Sequence, residues 1–186
     1  MLNHKGTQEI KTERLLLRRF VIDDYIDMFI WASNPEVTKY LSYHSHKSAE
    51  DTKKLLELWV KYYDNNATYN WAIEYNNKVI GNISVVEQNE NECELGWQID
   101  VLYWNKGIMT EAAKAVADYL FGVGFEKIIS GHDTRNIGSG RVMQKIGMTK
   151  VGKIHNYVLD KDGRIFDKAR YEITKEEWIK GKEKQK

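Results

Sequence analysis

Residues 103–112 place a glycine between an alternating apolar strand and an alanine-rich helix, which is a pattern typical of an anion-binding turn. The turn centres on Gly107, and Thr110 is a natural N-cap for the helix that follows. Backbone N–H groups at a helix start lack intrahelical partners, and the helix dipole directs its positive end toward them. The loop therefore suits an anion such as a phosphate, although one glycine also suits an ordinary strand-to-helix turn.

Three polar residues elsewhere in the chain are candidates for proton transfer and ligand binding. Glu94 lies on the polar face of the strand that precedes the loop, where burial would raise its pKa toward that of a useful base. The alternative for Glu94 is a solvated or ion-paired surface carboxylate. Asn136 and Ser139 stand at the start of a later helix, and both residue types cap helices well. Capping and ligand binding are compatible roles for these two residues.

The composition is that of a globular protein with balanced charge. Of 186 residues, 42% are hydrophobic and 30% charged, and 28 basic against 27 acidic side chains give a net charge of +1. Nucleic-acid-binding domains usually carry a clear basic excess, so no nucleic-acid partner is expected. The N-terminal residues lack the apolar run of a signal peptide, and no window approaches a membrane span. Because Cys93 also stands alone, we expect a cytoplasmic protein without disulfides or a membrane partner.

Other ligand classes find little support in the sequence. His44 and His46 would point the same way on an extended segment, but no third ligand accompanies them, so no metal site is expected. The chain has no glycine-rich phosphate loop ending in Gly-Lys-Ser or Gly-Lys-Thr. Gly122 and Gly124 lack the third glycine of the dinucleotide fingerprint, and they close a helix where that fingerprint opens one.

The hydrophobic periodicity predicts a single α/β domain over residues 1–186 with a mixed sheet. The expected order is a strand, two helices, three meandering strands, a helix, a strand, a helix and a hairpin. The strand–helix–strand part of this order implies one parallel pair. Gly81, inside a strand, indicates a bulge or a close backbone approach. The predicted strands are residues 14–20, 69–75, 79–86, 93–101, 127–131, 149–159 and 165–173, with a hairpin turn at Asp162-Gly163, a helical turn at 176–179 and a flexible tail at 180–186.

Four stretches, in this order and spacing, resemble the GNAT superfamily of acetyltransferases and more narrowly its RimJ/RimL-type branch. Together they cover nearly the whole chain, from Thr12 to Trp178. The resemblance implies a GNAT fold, an α/β fold in which about four helices flank a mixed central sheet. The stretches are residues 12–18 (TERLLLR), 34–41 (beginning NPEV), 94–97 (ELGW) running into 104–107 (WNKG) and 110–112 (TEA), and 136–139 (NIGS) running to Gly147-Met148.

An enzyme of this superfamily moves an acetyl group from acetyl-CoA, its cosubstrate, directly to a primary amine. In the RimJ/RimL-type branch the amine belongs to a protein N-terminus or to a small molecule. The alternative is a catalytically degenerate module of the same fold that binds acyl-CoA or a protein partner without turnover. The resemblance further implies a monomer or a homodimer, and an acceptor groove that draws on Tyr40, Tyr43 and His44.

The resemblance also implies roles for individual residues. Main-chain N–H groups of the glycine loop would hold the pyrophosphate, and the strand backbone at residues 98–101 would pair with the pantetheine arm and supply the oxyanion donor. Ser139 would lie near the thiol and help to reprotonate the thiolate, while Glu94 would act as the base directly or through water. The implied catalytic residues are therefore Glu94 and Ser139, and the implied cofactor-binding residues are Ile99, Val101, Lys106, Gly107, Ile108, Met109, Thr110, Asn136 and Ser139.

Three positions depart from the superfamily pattern. Trp104 stands where Gln or Arg is usual, three residues before the central glycine, and the RimJ/RimL-type branch commonly shows this change. Met109 stands where Gly or Ala is usual, but the expected contact uses only its backbone N–H. Met143 stands where some relatives place the tyrosine that protonates the leaving thiolate, so a tyrosine acid is excluded at that position.

Overall fold

A mixed sheet of eight strands forms the centre of the computed structural model, which describes residues 2–159 and 163–184. The strands are β1 Ile10–Lys11, β2 Leu16–Arg18, β3 Asn70–Tyr75, β4 Lys78–Gln88, β5 Glu92–Ile99, β6 Lys127–Asp133, β7 Thr149–Leu159 and β8 Arg164–Thr174. Their order across the sheet is β1-β2-β3-β4-β5-β6-β8-β7. Only β5 and β6 pair in parallel among these described strands, which confirms the pair expected from the strand–helix–strand order.

Six α-helices accompany the sheet in the described part of the chain. They are α1 Tyr25–Ala32, α2 Pro35–Thr38, α3 Ala49–Tyr62, α4 Ile108–Val123, α5 Ile137–Lys145 and α6 Lys175–Glu183. The short helix α2 is not among the elements that the hydrophobic periodicity predicted. Helix α6 extends through Glu183, so residues 180–183 are helical and not part of a tail, and Asp162 of the predicted hairpin turn lies outside the described residues.

Local sequence signals explain where the main helices begin and end. The Ser48 hydroxyl accepts a hydrogen bond from the Asp51 N–H at 3.1 Å and caps α3. Helix α4 lies between two glycines in the left-handed region, Gly107 at φ +75° and Gly124 at φ +118°. Residues with a Cβ rarely adopt this conformation, so the two glycines fix both ends of the helix.

The two faces of the sheet pack against different helices. Trp71 and Ile73 of β3 lie in a large buried cluster that includes the apolar stripe of α4 and residues of α5 and α6. Ala72, which points to the opposite face, lies in a second cluster under α1 and α3. The sheet therefore separates a face covered by α4 and α5 from a face covered by α1 and α3.

Gly81 lies where β4 approaches β5 most closely. A Cβ atom at this position would lie 2.4 Å from Gln98 O and 2.8 Å from Ile99 Cα. The structure thus confirms a close backbone approach at Gly81. It also shows a bulge beside it, because Ile73 pairs with Gly81 and Glu74 with Val79, which leaves Ile80 of β4 as the extra residue. The absent side chain allows β4 to hold the C-terminal end of β5 in place.

The parallel pair β5 and β6 separates soon after it begins. Pairing runs only from Glu92, opposite Lys127, to Glu94, opposite Ile129. Beyond this point β5 continues to Ile99 against β4 alone, and β6 continues against β8. The sheet therefore opens between the C-terminal halves of β5 and β6.

Candidate active site

A cavity of about 580 Å³ lies where β5 and β6 part. Its walls come from residues 95–99 of β5, residues 130–133 of β6, the first turn of α4 and one side of α5. Residues of α2 and the segment after it, including Tyr40, close the cavity on the other side. Seven residues expected to bind a cofactor line this cavity: Ile99, Gly107, Ile108, Met109, Thr110, Asn136 and Ser139.

The edge of β5 that faces the opening offers main-chain hydrogen-bonding groups. Ser130 Oγ donates to Leu95 O at 2.8 Å, and Trp104 Nε1 donates to Ile99 O at 2.9 Å, so odd-numbered residues direct their polar groups toward β6. Trp97, midway between them, directs its N–H and C=O to the same edge. An extended ligand with alternating amide groups could therefore add to this edge as a further strand.

The glycine turn before α4 places backbone donors at one end of the cavity. Gly107 adopts φ +75°, which lets the chain turn directly from the loop into the helix. The N–H groups of Ile108, Met109 and Thr110 belong to the first turn of a 16-residue helix and have no intrahelical acceptor. The structure therefore places these donors, with the positive end of the helix dipole, where the sequence predicted an anion site.

A carboxylate that the sequence analysis did not assign to the site fixes this turn from behind. Glu111 Oε1 accepts hydrogen bonds from Thr12 Oγ1 at 2.6 Å and from the Arg14 N–H at 2.9 Å, and Glu111 Oε2 accepts from Arg14 Nε at 2.7 Å. Arg14 Nη1 also donates to Lys106 O at 3.1 Å. Burial would raise the pKa of Glu111, but the hydrogen bonds from Thr12 and Arg14 outweigh it and lower that pKa. The available signal was the TERLLLR stretch, which contains both partners.

Asn136 and Ser139 open α5 at the end of β6. Asn136 Oδ1 accepts the Ser139 N–H at 3.2 Å, so the asparagine caps the helix as expected. This bond uses the backbone of Ser139 and leaves its hydroxyl at the cavity wall. Neighbouring His132 directs Nδ1 to Asp133 O at 2.7 Å, and burial lowers the pKa of this histidine.

Three residues assigned to the site lie outside the cavity lining. Glu94 Oε1 accepts from Lys168 Nζ at 3.2 Å, on the sheet face opposite α4. Val101 begins a 3-10 turn and packs against the cluster under α1 and α3. The Lys106 ammonium lies 5.6 Å from the centre of the Tyr103 ring. The structure therefore brings the backbone-based part of the predicted site together and leaves these three side chains at its border.

Residues 14–149 match the family model described as an acetyltransferase (GNAT) domain. The chain belongs to the GNAT family of acetyltransferases. The uncharacterized N-acetyltransferase YnaD of Bacillus subtilis (strain 168) is 32% identical over 171 residues, which cover 91% of this chain and 98% of YnaD. The match confirms an enzyme of the N-acetyltransferase class.

Solved structures confirm the GNAT fold. A GNAT-family acetyltransferase from Bacillus anthracis is 29% identical and covers 91% of this chain and 99% of its own, with a TM-score of 0.80. The Microcin C7 self immunity acetyltransferase MccE, solved in complex with acetyl-CoA and AMP, has a TM-score of 0.79 over 93% of this chain and 98% of its own. At 16% identity, the second likeness concerns the fold alone.

In this GNAT acetyltransferase, a row of hydrogen-bonded polar side chains crosses the sheet beside the cavity. The Tyr43 hydroxyl donates to Gln98 Oε1, and Gln98 Nε2 donates to Asn82 Oδ1 at 2.7 Å. Asn82 Nδ2 in turn donates to Asn70 Oδ1 at 3.0 Å. Burial raises the pKa of Tyr43 well above its ordinary value, so this phenol stays protonated. Of the three residues assigned to an acceptor groove, Tyr40 lines the cavity, and Tyr43 reaches it through Gln98.

A carboxylate–guanidinium pair lies where β6 ends. Arg135 Nε donates to Asp133 Oδ1 at 2.9 Å, and Arg135 Nη2 donates to Asp133 Oδ2 at 2.6 Å. Burial would raise the pKa of Asp133, but these bonds to Arg135 outweigh it and lower that pKa, so the carboxylate is ionised. Arg141 and Lys145 line the cavity farther along α5. Three cationic side chains, Arg135, Arg141 and Lys145, thus line the α5 side of the cavity, and single-residue reasoning did not select them.

Cys93 and His46, which the sequence analysis also considered, are held by the surrounding structure. Cys93 is buried in the main core, and burial raises its pKa to about 12, so its thiol stays protonated. His46 Nδ1 lies 2.8 Å from Thr52 Oγ1, and burial lowers the histidine pKa. Within the described ranges, no helix has the length and apolar character needed to cross a bilayer, and no three His, Cys, Asp or Glu side chains group as metal ligands.

Proposed function

We propose that this acetyltransferase uses acetyl-CoA and transfers its acetyl group directly to a primary amine, as in the RimJ/RimL-type branch. The amine would belong to a small molecule or to a protein N-terminus. The observation that carries the proposal is the cavity between β5 and β6, which joins a helix N-terminus to an open strand edge. A molecule with an anionic end and a chain of amides fits both features at once.

The residues at the α4 end of the cavity fit the phosphates of coenzyme A. The N–H groups of Ile108, Met109 and Thr110 would hold the pyrophosphate, because they are unpaired donors at the positive end of a helix. Arg141 and Lys145, both lining the cavity, would add charge for phosphate oxygens. These interactions involve no catalysis and contribute to binding.

The open edge of β5 fits the pantetheine arm. Trp97 would pair with an amide of that arm through its N–H and C=O, and the Ile99 N–H lies farther along the same edge. When bound, acetyl-CoA supplies a thioester whose carbonyl is the acetyl donor. A main-chain N–H of this edge would donate a hydrogen bond to the oxygen that gains negative charge during transfer. No side chain is needed for this step.

Two side chains would then move protons. The amine must lose a proton as the C–N bond forms, and Glu94 would accept that proton through water, because its carboxylate lies outside the lining and pairs with Lys168. The sulfur leaves as a thiolate when the C–S bond breaks; the Ser139 hydroxyl would donate its proton to that thiolate and regain one from water. Ser139 is free for this role because the helix cap uses its backbone N–H.

A binding experiment and a turnover experiment test the proposal. Saturating acetyl-CoA should raise the melting temperature, since a ligand at 100 times its Kd adds about 2.7 kcal/mol, while NAD and ATP should have no comparable effect. Thiol release from acetyl-CoA should occur with some members of a panel of amines and peptide N-termini. Stabilisation without thiol release from any amine would instead support the degenerate binding module, and no stabilisation at millimolar acetyl-CoA would contradict both.

Paired variants test the two proton-transfer roles. Glu94→Gln and Ser139→Ala should each lower kcat by about a hundredfold or more, since positioned proton transfer contributes factors of this order. The matched control is Glu92→Gln on the same face of β5, where the Glu92 carboxylate pairs with Lys127 at 2.7 Å, away from the cavity. If both test variants keep the kcat of the control, the assigned roles are wrong even where transfer occurs.

A further inference from the structure

The positive charge around the cavity falls into two regions. Arg141 and Lys145 lie one turn apart on α5, whereas Arg135 precedes the helix at the end of β6. Arg141 lies four residues, roughly 6 Å, beyond Ile137, the first residue of α5, and Arg135 lies two residues before Ile137. Arg135 and the pair Arg141 and Lys145 are therefore two separate candidate contacts for anions.

Arg135 is held in one orientation by a buried partner. Asp133 binds the Nε and Nη2 edge of the guanidinium, and the Asp133 side chain is 0% exposed. The Arg135 side chain is 57% exposed, so its other edge, at Nη1, remains accessible at the cavity wall. A guanidinium fixed on one edge loses little entropy when its free edge binds a planar or tetrahedral anion.

The single negative charge of Asp133 does not neutralise all the positive charge around it. Arg164 also stabilises the Asp133 carboxylate electrostatically, donates to Lys39 O, and has Nε and Nη2 buried without hydrogen-bond partners among the described residues. One carboxylate thus faces two guanidinium groups. The nearby Glu36 carboxylate is largely exposed and lies 3.7 Å from Lys39 Nζ, so this acid is already paired. Among the side chains that the structure describes, a positive surplus therefore remains at this end of the cavity.

We propose that Arg135 binds an anionic group of the acceptor, so that the substrate is a small amine carrying a carboxylate or a phosphate. The inference rests on the proposed function, because it takes the reacting sulfur to lie near Ser139. Ser139 lies in the first turn of α5 and Arg135 lies two residues before that helix begins, so both line the cavity at the same end of the helix. An acidic group on Arg135 and an amine near Ser139 would therefore belong to a small acceptor, such as an amino acid or an amino phosphate, and not to a polyamine. Tyr40 and Glu36 form the facing wall of this acceptor pocket.

The test compares acceptors that share an amine and differ in the acidic group. Amino acids are paired with their amides, and an amino phosphate with its neutral alcohol, and kcat/KM is measured for each. The ammonium group of the amide has the lower pKa, so more of it is neutral amine at neutral pH and it reacts more readily. The measured quantity is therefore the ratio of kcat/KM for the acid to kcat/KM for its amide, and this acid-to-amide ratio is compared between variant and wild type. Arg135→Met should lower that ratio at least tenfold, mainly through the acceptor KM, since one charge-assisted hydrogen bond contributes this much.

Additional variants distinguish an anionic group of the acceptor from a phosphate of coenzyme A as the group that Arg135 binds. Arg135→Met should leave the preference for acetyl-CoA over its 3′-dephospho form unchanged, whereas Arg141→Met should reduce that preference and leave the acid-to-amide ratio as in wild type. Arg135→Lys keeps the charge and loses the fork, so it should fall between wild type and Arg135→Met. Melting curves show whether Arg135→Met folds; if it does not, Arg135→Lys and the wild-type acceptor panel decide.

Three outcomes would overturn the inference. An unchanged acid-to-amide ratio in both Arg135 variants would exclude acceptor recognition by this residue. A loss of dephospho discrimination in Arg135→Met would assign Arg135 to a cofactor phosphate. Efficient acetylation of amides and polyamines with no transfer to acids would leave the proposed function intact and exclude this substrate class. By contrast, no acetyl-CoA binding at all would contradict the proposed function itself, and with it the inference.

Discussion

Replacing Glu111 by glutamine should loosen the anion-binding turn from behind without touching the cavity. The Glu111 carboxylate accepts three hydrogen bonds, from Thr12 Oγ1, the Arg14 N–H and Arg14 Nε, at 2.6, 2.9 and 2.7 Å. The amide can keep one acceptor oxygen, but it places an NH₂ group against Arg14 Nε. Arg14 then loses the partner that orients it toward Lys106 O, and the turn before Gly107 loses its support.

The expected cost is about 2 kcal/mol. A hydrogen bond to a charged group contributes roughly 1.5–3 kcal/mol, but the Arg14 side chain is 37% exposed, so solvent screening reduces the ion-pair part to about 1 kcal/mol or less. For a chain of this length, about 2 kcal/mol corresponds to a fall of roughly 4–8 °C in the melting temperature. Acetyl-CoA should also stabilise the variant less than it stabilises wild type.

The lowered pKa of Glu111 predicts how its contribution to stability changes with pH. The folded state lowers the pKa of Glu111, so the unfolded state binds more protons between the lowered value and the ordinary one. The stability that Glu111 contributes is therefore complete above its ordinary pKa and is lost as the pH falls through its folded pKa. Denaturant titrations of wild type and Glu111→Gln should differ at pH 7, and the difference should shrink below about pH 4.

Glu177→Gln provides the matched control. Glu177 also lies in the first turn of a helix, where its carboxylate accepts from the Thr174 N–H and hydroxyl at 2.8 Å each. This capping box is exposed and lies on α6, away from the cavity, so the substitution should cost under about 1 kcal/mol and leave acetyl-CoA binding unchanged. Equal losses in the two variants, or full acetyl-CoA stabilisation of Glu111→Gln, would refute the reasoning.

Two further predictions concern the sheet around the cavity. Gly81→Ala should destabilise the fold by roughly 2 kcal/mol in a denaturation assay and raise the KM for acetyl-CoA, because the added Cβ would lie 2.4 Å from Gln98 O and displace Ile99. The control is Gly122→Ala on α4, where the added Cβ enters open space, so this variant should be neutral or stabilising in the same assay. Because burial lowers the folded pKa of His132, its contribution to stability should be complete above about pH 6.5 and decline as the pH falls below it, and His132→Gln should remove that slope in denaturant titrations between pH 5.5 and 7.5.

The sequence predicted those features that depend on near neighbours. Helix α4 was predicted from its alanine-rich stripe and neighbouring glycines, and both Gly107 and Gly124 adopt the left-handed conformation at its ends. The N-cap is Gly107 and not the predicted Thr110, and Gly122 lies inside the helix. The Asn136 cap was likewise expected from residue type alone. Alternation along β5 correctly separated buried Leu95 from Glu94 on the opposite face. In each case, the interacting groups lie within a few residues of one another.

The remaining features depend on distant partners that no local pattern contains. Glu111 meets Arg14 across 97 positions, and Glu94 meets Lys168 across 74. Polar-face placement therefore predicted the side on which Glu94 lies, but it could not predict whether the carboxylate lines the cavity. Val101 was assigned to the strand edge because apolar alternation continues through it, whereas the chain turns at Asp100, whose side chain accepts the Leu102 N–H at 3.0 Å.

The position of the cavity follows from the one parallel pair in the described sheet. A parallel pair requires a crossover helix, and α4 performs that crossover, so it begins beyond the C-terminal end of β5. Helix α5 follows β6 in the chain, and it therefore begins beyond the C-terminal end of that strand. Both helix N-termini, each equivalent to roughly half a positive charge, therefore face the opening between these two strand ends. The donors on which the proposed anion site depends thus arise from chain topology and backbone groups, so Met109 in the first turn of α4 offers the same backbone N–H that Gly or Ala would offer there.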